Sequence, residues 1–145
     1  MTFEDLKITG GPAAGVGSGI GEEFDSQKAL SEAAGFEVLV PGLLPSAEHY
    51  YLIAGKVADI RYDNGIIYRM TRRDDYGLDI SGDWREYPSI RPYALDSYSV
   101  TARGIESLTY SAIWWDNDYT YSIYISLGTL PETVDELIRS LCAGR

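Results

Sequence analysis

From Tyr50 onward, apolar and polar residues alternate, and a period of two places every second side chain on the same side of an extended strand. That pattern constrains the chain more than any motif. It breaks at Asp63-Asn64-Gly65, between two alternating runs, as a hairpin turn would. A three-residue loop with Gly65 in the left-handed conformation aligns Tyr62 with Ile66, Ile60 with Tyr68 and Ala58 with Met70 on one face. Asp59 then faces Arg69 on the other. A two-residue loop mixes the faces, so the three-residue loop with a glycine bulge is expected.

A second hairpin is expected over residues 107–126. An even-length loop around Asp116-Asn117 pairs Trp114 with Tyr119, Ala112 with Tyr121, Tyr110 with Ile123 and Leu108 with Ile125. Ser111 meets Ser122 on the opposite face, which gives a sheet with one buried and one wet side. Tyr98 to Ala102 reads as a further strand that turns into this hairpin at Arg103-Gly104.

Helices frame the strands. Ser26 to Ala34 carries Leu30, Ala33 and Ala34 on one side, and Gly35 supplies a helix stop. Phe36 to Val40 reads as a strand leading to a proline-punctuated turn. Near the end, Thr129 with Glu132 fits a reciprocal cap, and Leu130, Val134, Leu137, Ile138 and Leu141 follow one helical stripe. Asp135 and Arg139 fall on its wet side. The expected class is α+β: a mainly antiparallel meander of about five to seven strands, with a short N-terminal helix and a C-terminal amphipathic helix packed on it.

With 145 residues the chain fits one domain, with a core large enough to need no disulfide. Residues 1–24 read as a flexible linker because Thr9 to Glu23 is rich in glycine and small residues, leaving 25–145 as the folded domain. Twelve Tyr and three Trp against three Phe give many rings a polar end, which suits half-wet sheet faces. Twenty-two acidic against twelve basic residues set the net charge at −10, which argues against nucleic acid and favours, if anything, cationic partners. Cys142, the single cysteine, has no partner for an intrachain disulfide and falls on the expected final helix. Met1 to Ile8 lacks the apolar stretch of a signal peptide, and no run of about 18 apolar residues follows. No membrane insertion by these residues is expected, although a removed anchor stays compatible with the sequence.

Chemistry-bearing motifs are scarce. Glycines 15, 17, 19 and 21 miss the dinucleotide-binding spacing, and no lysine follows for a phosphate loop. His49, the only histidine, lies at a strand start without a nucleophile motif. Asp74, Asp75, Asp79 and Asp83 fail the spacing of a calcium loop, as do Asp116 and Asp118, so these carboxylates read as turn formers. No cofactor or metal is expected.

Taken together, SEAAGFEVLVPGLLP, the strand from Ala58 to Tyr62, the aromatic hairpin ending in IYIS and the closing TLPETVDELIRSL resemble a bacterial family of domains of unknown function. Such domains occur at the extracytoplasmic end of lipoproteins and membrane-anchored anti-sigma-factor-like proteins. The resemblance covers about residues 26–142 and implies a cell-envelope setting, with no catalytic residue to carry over.

The segment from Arg72 to Tyr98 is the candidate binding surface. It combines Arg72, Arg73, Arg85 and Arg91 with Tyr76, Trp84, Tyr87 and Tyr93, the residue types that dominate binding hot spots. The competing reading is that the rings pack the segment onto the sheet while the arginines pair with nearby carboxylates. The expected function is a non-enzymatic extracytoplasmic binding or sensing domain for a protein, peptide or glycan. Alternatives are a hydrolase using paired carboxylates on wall glycan or peptide, and a structural or homodimerisation module.

Overall fold

The computed structural model describes residues 21–73, 80–83 and 85–143. In chain order the elements are β1 (Glu22–Phe24), α1 (Gln27–Ala34), β2 (Val40–Pro41), β3 (His49–Ile53), β4 (Val57–Arg61), β5 (Ile66–Arg72), β6 (Ser89–Leu95), β7 (Tyr98–Ile105), β8 (Leu108–Trp115), β9 (Tyr119–Thr129), α2 (Pro131–Arg139) and β10 (Leu141–Cys142). Eight strands form one antiparallel sheet in the order β1-β3-β4-β5-β9-β8-β7-β6, more than the expected five to seven. One added strand, β1, comes from within the 1–24 segment read as linker: Glu23 pairs with Tyr51, so the ordered fold begins ahead of Asp25. Two meanders, β3 to β5 and β6 to β9, are joined by the β5·β9 pairing.

The first hairpin has the expected register, with Ala58 opposite Met70, Asp59 opposite Arg69 and Ile60 opposite Tyr68. Gly65 takes φ 77, and a Cβ there would lie 2.0 Å from Ser126 Oγ, so the turn needs glycine for conformation and for space. In the second hairpin the faces are as expected but the pairs are displaced by two residues: Trp114 meets Tyr121, Ala112 meets Ile123 and Ile113 meets Ser122. The cause is Asp116, whose carboxylate accepts from the backbone N–H of Asp118 (2.9 Å) and Tyr119 (2.8 Å). It thereby starts the turn one residue later and keeps Trp115 in the strand. A bulge between Thr109 and Ser111 removes the expected Tyr110 and Leu108 pairs. The turn into this hairpin is at Glu106 and Ser107, not Arg103-Gly104. Gly104 sits instead at a register shift, where a Cβ would come within 2.0 Å of the Leu108 carbonyl oxygen.

Both helices pack on one face of the sheet. Ser26 caps α1 by accepting from Ala29 N–H at 3.1 Å, and Gly35 ends it with φ 81. Phe36 to Leu39 is not the expected strand. Side chains hold it instead: Gln27 donates to the Val38 carbonyl (2.7 Å), Ser31 Oγ accepts from Val38 N–H (2.9 Å) and the Tyr68 hydroxyl donates to the Leu39 carbonyl (2.6 Å). α2 begins at Pro131, with Leu130 at the cap position and no side-chain cap. Proline forces its predecessor to be extended, which leaves Thr129 as the last residue of β9 rather than a cap. Cys142 lies beyond α2, in β10, which pairs with β2. Val134, Leu137 and Ile138 of α2 join Leu30, Val38, Ile60, Tyr68, Trp114 and Ile123 in the buried core.

The opposite face is not wet. β5 lies mid-sheet and β6 at the far edge, and the described residues of the chain between them, 80–83 and 85–87, sit on the face away from the helices. There Arg69 bonds the Ile80 and Ser81 carbonyls, Arg103 bonds Ser81 and Ser111, and Arg85 lies over the Tyr124 ring, with Arg69, Ser111, Ser122 and Tyr124 all buried. This face is closed by polar groups together with Ile67, Ile80, Ile113 and Tyr124, which are buried apart from the helix-face core.

Candidate binding groove

Under that crossover, Asp59 is completely buried and receives Arg61 Nε and Arg69 Nε on its two oxygens, each at 2.8 Å. Arg69 also donates to the carbonyls of Ile80 (3.1 Å) and Ser81 (3.0 Å), anchoring the crossover to the sheet. Asp83 is gripped by Arg85 through two bonds, of 2.8 and 2.7 Å, and by the Tyr87 hydroxyl. Burial pushes the Asp83 carboxyl up, yet the hydrogen bonds from Arg85 and Tyr87 outweigh it and hold the group below its ordinary value. Burial, with Asp83 beside it, pushes the Tyr87 phenol well up. Arg103 reaches Ser81 and Ser111 and lies over the Tyr87 ring at 5.6 Å.

The sequence-derived candidates therefore do not gather on one surface. Arg85, its side chain only 11% exposed, and Tyr87 are drawn into the polar face, with Arg85 over the Tyr124 ring at 4.6 Å. Arg91 and Tyr93 belong to the helix face, where Arg91 lies over the Tyr93 ring at 5.2 Å and the Tyr93 hydroxyl donates to Asp135 at 2.6 Å. Arg73 donates to the Asp116 carbonyl at 3.0 Å. Arg72 lies over the Phe36 ring at 5.3 Å and donates to the Gly35 carbonyl. Tyr76 and Trp84 lie outside the described residues. His49 is exposed and bonds Glu23 at 2.8 Å.

On the helix face, α1 and the 41–47 segment flank an open groove of about 880 Å³. Asp25, Glu32 and Glu37 line it together with one cation, Lys28, while Phe36, Tyr50 and Tyr62 supply rings. β3 brings Tyr50, and the turn after β4 brings Tyr62. Tyr62, only 7% exposed, borders the groove. Burial pushes this phenol up, and the neighbouring Tyr50 phenol and Cys142 thiol add to the effect. Sequence reasoning missed the groove because, although nearly all of its lining lies between Asp25 and Tyr62, only the fold sets α1 against the 41–47 segment and β3. The one available signal was the helix and proline-punctuated turn of residues 28–45.

No protein family, curated protein or solved structure matches this chain.

Proposed function

We propose that the chain is a non-enzymatic binding or sensing domain of a bacterial envelope protein, and that its partner is a basic protein. The observation that carries this reading is the excess of negative charge: the chain carries a net −10, and Asp25, Glu32 and Glu37 line the groove beside α1 together with Lys28. Such a field attracts cationic partners and speeds their encounter. The hydrolase alternative draws no support from Asp83, because a general acid needs a raised pKa and this carboxyl is held low by two donors. Homodimerisation through the β6 edge is disfavoured by Pro92 and Arg91, which blunt strand pairing. The envelope placement rests on the sequence resemblance.

The test is an array of basic, neutral and acidic peptides probed with the labelled chain at two salt concentrations. Basic peptides should dominate the hits and weaken as salt rises. Hits spread evenly over the charge classes, or indifferent to salt, would overturn the basic-partner reading. Fractionation of cells expressing the full gene product tests the placement, and recovery from the cytosol would remove it.

A further inference from the structure

We propose that a second, apolar groove beside α2 seats a leucine-sized side chain of the basic partner, with lysines or arginines of the same segment set against the acidic side of that helix. The inference rests on the basic-partner reading above and adds a contact that charge alone does not supply.

Parity in β9 comes first. Tyr121, Ile123, Ile125 and Leu127 occupy alternate positions of the strand, and the first three are buried in the helix-face core. Leu127 comes next in the series yet is 76% exposed, because β5 pairing stops at Ile66, opposite Ile125. Leu43, 64% exposed, lines the same groove, and Leu130, 52% exposed, follows directly on its Thr129 wall. Three of the five large apolar side chains exposed among the described residues thus gather at one place, and apolar clusters of this kind mark contact surfaces. The groove holds about 420 Å³, and its lining includes the buried Ile66, Ile125 and Leu137. That is within the range of built ligand sites.

Charge selects the occupant. Glu136 is the one charged residue among the described residues that line the groove, and Glu132 stands one turn before it on α2, both exposed. Like charges four residues apart repel, and a cation placed beside them relieves the repulsion. Arg139, the only basic residue of α2, is paired with Asp96 at 3.2 Å instead. Leu44 and Pro45 line this groove and also the one beside α1, so a segment that crosses them meets Asp25, Glu32 and Glu37 on the other side. An acidic apolar segment gains the burial but is repelled by the rim, and a second copy of this chain brings its own −10 to the contact. A basic segment with an apolar anchor satisfies both requirements.

The experiment titrates the isotopically labelled chain by NMR with a blocked, lysine-rich peptide carrying two leucines three residues apart. Analogues replace the leucines by serine, the lysines by glutamine, or the lysines by glutamate. Expected are shifts at Ile66, Leu127 and Thr133, with the serine analogue about tenfold weaker or worse because it buries no apolar anchor. The glutamine and glutamate analogues should be progressively weaker than the lysine peptide. Leu127→Ser should cost about tenfold, and a thermal melt should stay close to that of the parent because the side chain is exposed. Should Leu127→Ser disturb folding, Glu132→Gln with Glu136→Gln gives the second measure, with an expected loss of about threefold and a flatter salt dependence. Equal binding of the leucine and serine peptides, or shifts confined to the groove beside α1, overturns the apolar site and leaves the basic-partner reading intact. Equal binding of the lysine and glutamate peptides overturns both. Shifts at Leu127 and Leu130 that grow with protein concentration before any peptide is added place a second copy there and overturn the assignment, as does failure of the leucine and lysine peptide to bind.

Discussion

The two faces of this sheet are both closed, by opposite means. On the helix face Trp114 stacks on Tyr121 at 5.5 Å, and both rings pack among aliphatic side chains; the Trp114 N–H has no partner among the described residues, so the residue contributes as bulk. On the crossover face Asp59, Arg61 and Arg69 hold one another with directed bonds. An apolar face depends on filled volume and tolerates substitutions that preserve it. A buried polar face depends on matching, and the loss of one member strands the others.

That contrast can be broken in a defined way. Trp114→Ala should lose roughly 3–5 kcal/mol in a denaturant melt, because it opens a large cavity beneath the helices. Asp59→Ala should lose a similar amount, about 3–5 kcal/mol, but by leaving two guanidiniums without their shared carboxylate. The difference lies in rescue. Adding Arg69→Met to Asp59→Ala should recover about 1–4 kcal/mol, since an apolar side chain of similar length replaces a buried charge that has lost its Asp59 carboxylate. It should also accelerate amide exchange at residues 80–83, because Ile80 and Ser81 lose the donor that pins them. If the two substitutions prove additive instead, the polar face is not a coupled network and the contrast with the apolar face fails.

The same contrast explains what the sequence could reveal. The β4–β5 register was legible because a glycine turn and three apolar pairs agreed on one alignment. In β8–β9 parity was legible but register was not: alternation assigns faces, whereas the pairing depended on how Asp116 used its side chain. The apolar face could be read from periodicity, including the stripe of α2, although Pro131 displaced its cap. The polar face could not. Arg85 and Tyr87 have the composition of a docking loop, and only the position of β6 at the sheet edge turns that loop inward. The groove escaped for a related reason, since only the fold brings α1, the 41–47 segment and Tyr62 together.

The smallest effect should separate the two faces by pH. Asp83 is held below its ordinary value by Arg85 and Tyr87 against the opposing effect of burial. A carboxyl with a depressed folded pKa stabilises above its unfolded value of about 3.9, and that contribution is lost as pH falls through the folded pKa. One proton limits the slope to about 1.4 kcal/mol per pH unit. Asp83→Asn should therefore reduce stability at neutral pH, and its curve should approach that of the parent protein below about pH 4 as the parent loses the charge. Trp114→Ala should run parallel to the parent across the same range, because volume does not titrate. A constant offset for Asp83→Asn down to the lowest pH would mean that the crossover is held by packing alone, and that the two faces are closed by the same physics after all.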